Sequence, residues 1–120
     1  MHPVLRIAKA LSDETRLRAL LALRDGELCL CHVVGLLELA PSTVSKHLDI
    51  LCQAGLVRRR KEGRWCHFRL AERSAEPTVR DALRWVLAAP ADDVTIAKDV
   101  QRVASLRRKD LQELAACYRS

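Results

Sequence analysis

Residues 41–55 read PSTVSKHLDILCQAG and residues 56–70 read LVRRRKEGRWCHFRL, and these two stretches decide the fold. Pro41 suits the first turn of a helix, where a missing N–H costs nothing, and Gly55 is a natural stop, so Ser42 to Ala54 is expected to be helical. Within it Val44, Leu48, Leu51 and Cys52 recur at helical spacing on one face and leave Thr43, Lys46 and His47 on another. The next stretch changes period. Arg64, Cys66, Phe68 and Leu70 alternate with Trp65, His67 and Arg69, and Glu62-Gly63 lies where a tight turn is needed. That is a β-hairpin, with Val57 to Lys61 as its first strand.

Upstream, Val33, Leu36 and Leu37 mark a short helix over about 32–39, broken at Ala40-Pro41. Two short helices joined by a tight turn make a helix-turn-helix. Further back, Val4, Leu5, Ala8 and Leu11 fall at helical spacing. Ser12, Asp13 and Glu14 then supply a cap and an acidic first turn for a second helix with the stripe Leu17, Leu20, Leu21, and Gly26 ends it. Glu27 to Cys31 is left as a connector. Downstream of the hairpin, Pro77 opens a helix carrying Val79, Ala82, Leu83, Val86 and Leu87 as far as Pro90. A last helix from about Asp92 to Tyr118 carries Ile96, Val100, Val103, Leu111, Leu114 and Tyr118. These two stripes exceed what one small domain covers alone, so part is expected to be core and part a dimer interface.

The whole, 120 residues with few aromatics (Trp65, Phe68, Trp85, Tyr118), is expected to be one mainly α domain with a β-hairpin wing: helix-turn-helix at about 32–55, wing at about 56–70, C-terminal helices at about 77–118. A net charge of +6 points to a polyanionic partner. No apolar run approaches the roughly 18 residues of a membrane span, and the N-terminus lacks a leader pattern, so a cytoplasmic protein is expected. Double-stranded DNA fits the helix-turn-helix best. Ser42, Thr43 and Ser45 offer short hydroxyls, and Lys46 and His47 complete a polar reading face. The run Arg58, Arg59, Arg60, Lys61 and Arg64 crowds charge around the hairpin tip, where Arg60, Lys61 and Arg64 are expected to meet phosphates or the minor groove.

Five cysteines, an odd number, argue against a disulfide framework. Cys29 and Cys31 are separated by one residue. Their side chains share a side in extended backbone but would diverge by about 200° inside a helix, so they act together only at or before a helix start. Amides at a helix N-terminus would lower a thiol's pKa, and two soft thiolates select soft ions over magnesium or calcium. Cys52 and Cys66 fall on packing faces and are read as core. A cysteine-based enzyme is disfavoured: C-x-C is not C-x-x-C, no acid or base stands at a recognisable spacing, and no Gly-rich phosphate loop is present. A thiol-redox switch on the same fold, and a helical interaction module with incidental charge, remain as rivals.

Several runs now resemble the ArsR/SmtB family of metal-responsive winged-helix repressors. They are Leu11-Ser12-Asp13-Glu14-Thr15-Arg16-Leu17, Glu27-Leu28-Cys29-Leu30-Cys31, Ser42 through Leu48, Ala54-Gly55-Leu56-Val57, and Glu62-Gly63-Arg64-Trp65 with His67-Phe68-Arg69-Leu70. The resemblance implies a homodimeric repressor, joined through its N- and C-terminal helices, that leaves its operator when trivalent arsenic or antimony binds Cys29 and Cys31. It also implies a third cysteine three residues after the second; here that position is Val34, and His32 replaces the usual acidic residue. Cys117 is then the candidate third ligand. His2 would join a cadmium- or zinc-type site, the alternative inducer class. The histidine and acid pairs of the zinc-sensing members are absent between Pro77 and Pro90.

Overall fold

The computed structural model describes residues 2–88, 92–109 and 114. The chain begins with two helices, α1 (Pro3–Leu11) and α2 (Glu14–Ala22), each started by a side chain: His2 Nδ1 accepts from the Val4 amide at 3.1 Å, and Asp13 Oδ1 from the Arg16 amide at 3.0 Å. A short strand β1 (Leu28–Cys29) leads into α3 (Leu30–Leu37), which ends on Glu38 in left-handed backbone before α4 (Pro41–Gln53). Strands β2 (Val57–Glu62) and β3 (Trp65–Leu70) form the hairpin, and α5 (Pro77–Ala88) and α6 (Val94–Arg107) follow. Gly63 makes the hairpin turn at φ +59, with open space where a side chain would stand.

This is a winged helix-turn-helix, mainly α with a β-hairpin wing, as the periodicities predict. Two boundaries differ. Glu27 to Cys31, expected as a connector, contains β1, which pairs antiparallel with β3 through Leu28↔Phe68 and Cys29↔His67, so the wing is a three-stranded sheet of order β1-β3-β2. A two-residue strand has no period to read; its partner defines it. The last helix, expected over about 92–118, runs only to Arg107 among the described residues, and Leu111, Cys117 and Tyr118 lie outside them.

Leu20, Leu23, Leu28, Val33, Val44, Leu48, Leu51, Leu56 and Leu106 are all but sealed from solvent and make one core shared by α2, α3, α4, the sheet and α6. Burial of each such side chain is worth about 1.5–3 kcal/mol. α6 lies close over α3: a Cβ added at Gly35 would stand 3.0 Å from Leu106 Cδ2. Arg18 of α2 grips Asp99 of α6 with two bonds of 2.9 and 3.0 Å, and Arg107 donates to the carbonyls of Gly26 (3.0 Å) and Glu27 (3.1 Å).

Candidate nucleic-acid interface and thiol site

α4 buries Val44, Leu48 and Leu51 completely, so the opposite face is committed to solvent. Ser42, Thr43 and Lys46 are exposed on it, and Ser45 and His47 are half-buried at its margin. Ala40 caps α4 with no side-chain hydrogen bond; Pro41 has no N–H, and the Ala40 carbonyl takes the Thr43 and Val44 amides, both at 3.0 Å. His47 does not stand alone. Arg16 Nη1 approaches His47 Nδ1 at 3.4 Å, while the same guanidinium donates to the carbonyls of Ala10 (2.9 Å) and Lys9 (3.0 Å) at the end of α1. Because arginine only donates, the contact is a hydrogen bond only in the tautomer whose Nδ1 accepts.

On the wing, Arg58, Arg59, Arg60, Lys61 and Arg64 are all exposed. Their charges are not equally available. Arg59 pairs with Asp49 of α4 and lies over the Phe68 ring at 5.5 Å; Arg64 lies over Trp65 at 5.0 Å. Arg60 is held by Glu27 at 2.5 Å and Glu62 at 2.5 Å, which drives the Glu27 and Glu62 carboxyls below the usual carboxylate range. Neither the Arg16–His47 contact nor the Glu27–Arg60 pair is foreshadowed by spacing, since each joins residues more than thirty positions apart.

Cys29 and Cys31 meet at the start of α3. Cys29 is the extended cap residue (φ −73, ψ 155) and Cys31 lies in the first turn, with the two sulfurs 3.3 Å apart. The cap is reciprocal: Cys29 Sγ accepts from the Cys31 amide at 3.4 Å, and His32 Nδ1 accepts from the Cys29 amide at 3.0 Å. Both thiols are buried, 1% and 2% exposed. At Cys29 burial works against the expectation from the helix terminus: it pushes that thiol up to about 12, with the neighbouring thiol adding to the rise and the Cys31 amide opposing it. Burial likewise lowers His32, helped by Arg107 and His67, which suits a ring nitrogen that must accept. Cys52 and Cys66 are half-buried, and burial raises the Cys52 thiol. His2 is spent on capping α1. Among the described residues no group of three or more His, Cys, Asp or Glu is arranged to hold a metal ion. Cys117, the candidate third donor, lies outside the described residues.

Residues 13–59 match the bacterial regulatory protein, arsR family. Over 93 residues the chain is 36% identical to the HTH-type transcriptional regulator CmtR of Mycobacterium bovis, covering 78% of this chain and 79% of that protein. The chain belongs to the arsR family. Its three-dimensional likeness agrees: the homodimeric winged helix-turn-helix DNA-binding domain of an M. bovis regulator superposes with a TM-score of 0.59 at 30% identity, over 70% of this chain and 71% of that one. This arsR-family chain is also 41% identical over 68 residues to the arsenical resistance operon repressor of Escherichia coli, covering 56% of this chain and 58% of the repressor. It is 36% identical over 80 residues to a cadmium resistance transcriptional regulatory protein of Staphylococcus aureus, 66% of each. The arsR-family chain thus spans little more than half of the E. coli relative. The family is one of transcriptional regulators and not of enzymes, and no helix among the described residues is long and apolar enough to cross a membrane.

Proposed function

We propose that this chain is a cytoplasmic, homodimeric transcriptional repressor that holds operator DNA through Ser42, Thr43, Ser45, Lys46, His47, Arg60, Lys61 and Arg64, and releases it when trivalent arsenic or antimony closes Cys29 and Cys31. The observation that carries the reading is the thiol pair itself: two sulfurs 3.3 Å apart on the strand-to-helix junction that pairs with the wing. A ligand bound there strains β1 and the start of α3 together, and both abut the DNA-reading elements. A coupling of about 1–3 kcal/mol shifts DNA affinity by about 5- to 150-fold.

The raised Cys29 thiol favours arsenic. Neutral arsenous acid, As(OH)3, reacts with two thiols by forming two As–S bonds and breaking two As–O bonds; each thiol proton leaves with a hydroxide as water, and no free proton is released. A divalent cation must instead expel both protons into solution. A Cys29 thiol pushed up to about 12 therefore penalises cadmium and spares arsenite. The cadmium reading stands second, favoured by the S. aureus relative's likeness. A homodimer would join through α1 and α5, which touch each other and expose Val4, Leu5 and Trp85.

The deciding experiment follows release of a fluorescent duplex, selected by the protein from a randomised pool, as arsenite, antimonite, cadmium, zinc or peroxide is added. Arsenite and antimonite are expected to release the wild type and to leave a Cys29→Ser, Cys31→Ser double variant bound. Arsenite release of that double variant would refute the thiol assignment. Release by peroxide alone would make the pair a redox switch.

A further inference from the structure

Arg60 of β2 stands opposite His67 of β3, and His67 stands opposite Cys29 of β1, so the three lie in one row across the sheet. Glu27 closes the end of that row, two residues before Cys29. Its carboxylate takes Arg60 Nη2 at 2.5 Å and Arg60 Nε at 3.3 Å, and lies 3.9 Å from His67 Nδ1. Glu62 of the wing takes Arg60 Nη1 at 2.5 Å. The two-toothed edge of the guanidinium, the edge that recognises a phosphate bidentately, is thus occupied by a carboxylate of the cysteine strand.

We infer that Glu27 is a positioning residue for the wing: it competes with a DNA phosphate for Arg60, so the strand that carries Cys29 sets how many phosphates the wing neutralises. This rests on the DNA-binding reading above but not on the identity of the inducer. The other paired wing cation, Arg59, is tied to Asp49 of the reading helix, so Arg60 is the one whose partner belongs to the thiol strand. Arg60 and Glu27 are both solvent-accessible, so their pair contributes little to folding, and its removal acts on DNA rather than on the fold. Glu62 is more exposed than Glu27 and holds Arg60 by one nitrogen only, so it yields more readily to a phosphate.

The readout is the slope of log affinity against log salt, about 0.9 per phosphate neutralised, measured between about 50 and 200 mM on the duplex selected by the wild type. Glu27→Gln, nearly isosteric and uncharged, is expected to tighten binding and to steepen the slope by about 0.9. In an Arg60→Ala background the same change is expected to leave the slope where Arg60→Ala alone puts it. Glu27→Asp, which keeps the charge but draws it back by one methylene, is expected to move the slope the same way as Glu27→Gln, and serves if the glutamine variant is unstable. A slope unchanged in both Glu27 variants overturns the inference. So does a steepening that survives without Arg60, since that reports only the general field of one lost negative charge. A wild type that binds no duplex in low salt removes the DNA-binding reading itself, a result distinct from either.

Discussion

Cys29 and Cys31 show how a local rule and a tertiary one compete for the same atom. The helix start points an amide at the Cys29 sulfur, which alone would favour the thiolate, but removal from water outweighs one 3.4 Å hydrogen bond. The consequence is measurable. Because burial raises the Cys29 thiol, cadmium affinity is expected to climb with pH, by about tenfold per unit for the Cys29 proton, while arsenite affinity stays flat from pH 6 to 8; titration calorimetry in buffers of different ionisation enthalpy checks both. His32 makes a second pH-dependent prediction. Its Nδ1 accepts from the Cys29 amide and its pKa is depressed, so the unfolded chain binds the proton more readily than the folded one. Stability is then full above the unfolded pKa of about 6.5 and falls as the pH drops through the lower, folded value. A His32→Asn variant, which keeps an acceptor but cannot titrate, is expected to lose less melting temperature between pH 7 and pH 5 than the wild type.

α4 was legible before any coordinates, because Val44, Leu48 and Leu51 on one side of a helix bounded by Pro41 and Gly55 admit no other reading. What orients α4 was not legible. Arg16 holds the last carbonyls of α1 and His47 of α4 in one guanidinium, across a sequence gap no local pattern spans. Arg16→Ala is expected to lower operator affinity several-fold while circular dichroism stays that of a helical protein, and Arg16→Lys is not expected to restore it, because one ammonium cannot reach acceptors arranged for a planar fork. Lys46→Ala, on the exposed face, is expected to weaken binding across sequences and to flatten the salt slope by about 0.9. The wing divides in the same way. Its alternation and its Gly63 turn are sequence features, whereas the pairing of Arg59 with Asp49 of α4 and of Arg60 with Glu27, the residue before β1, depends on which segments lie side by side.

α6 shows at the scale of the whole chain how its stripe, expected to be part core and part dimer interface, divides: Ile96, Val103 and Leu106 are buried, with α6 packed on α2 and α3 of the same chain, whereas Val94 and Val100 remain well exposed. The Arg18–Asp99 pair anchors it. Asp99→Ala leaves a partly buried guanidinium without its carboxylate, and with Arg18 still a quarter exposed the expected cost is about 1–2 kcal/mol, a loss of about 5–10 °C in a thermal melt. Among the exposed apolar residues, Val4 and Leu5 lie on α1 and Trp85, 67% exposed, on α5, two helices in contact. Trp85→Glu is expected to turn a dimer into a monomer in sedimentation experiments and to weaken operator binding by separating the two reading heads.

The order of helices, the turn at Pro41, the basic hairpin and the C-x-C pair were determined by the sequence alone, because each is written in periods of two or 3.6 residues or in turn residues at short range. Only the tertiary structure decided that Cys29 ends a strand of the wing's own sheet, that burial raises its thiol, and that Glu27 grips Arg60. Those facts depend on desolvation and on contacts between distant segments, and no local spacing encodes how much water a folded chain removes from a sulfur or which acid it brings beside an arginine.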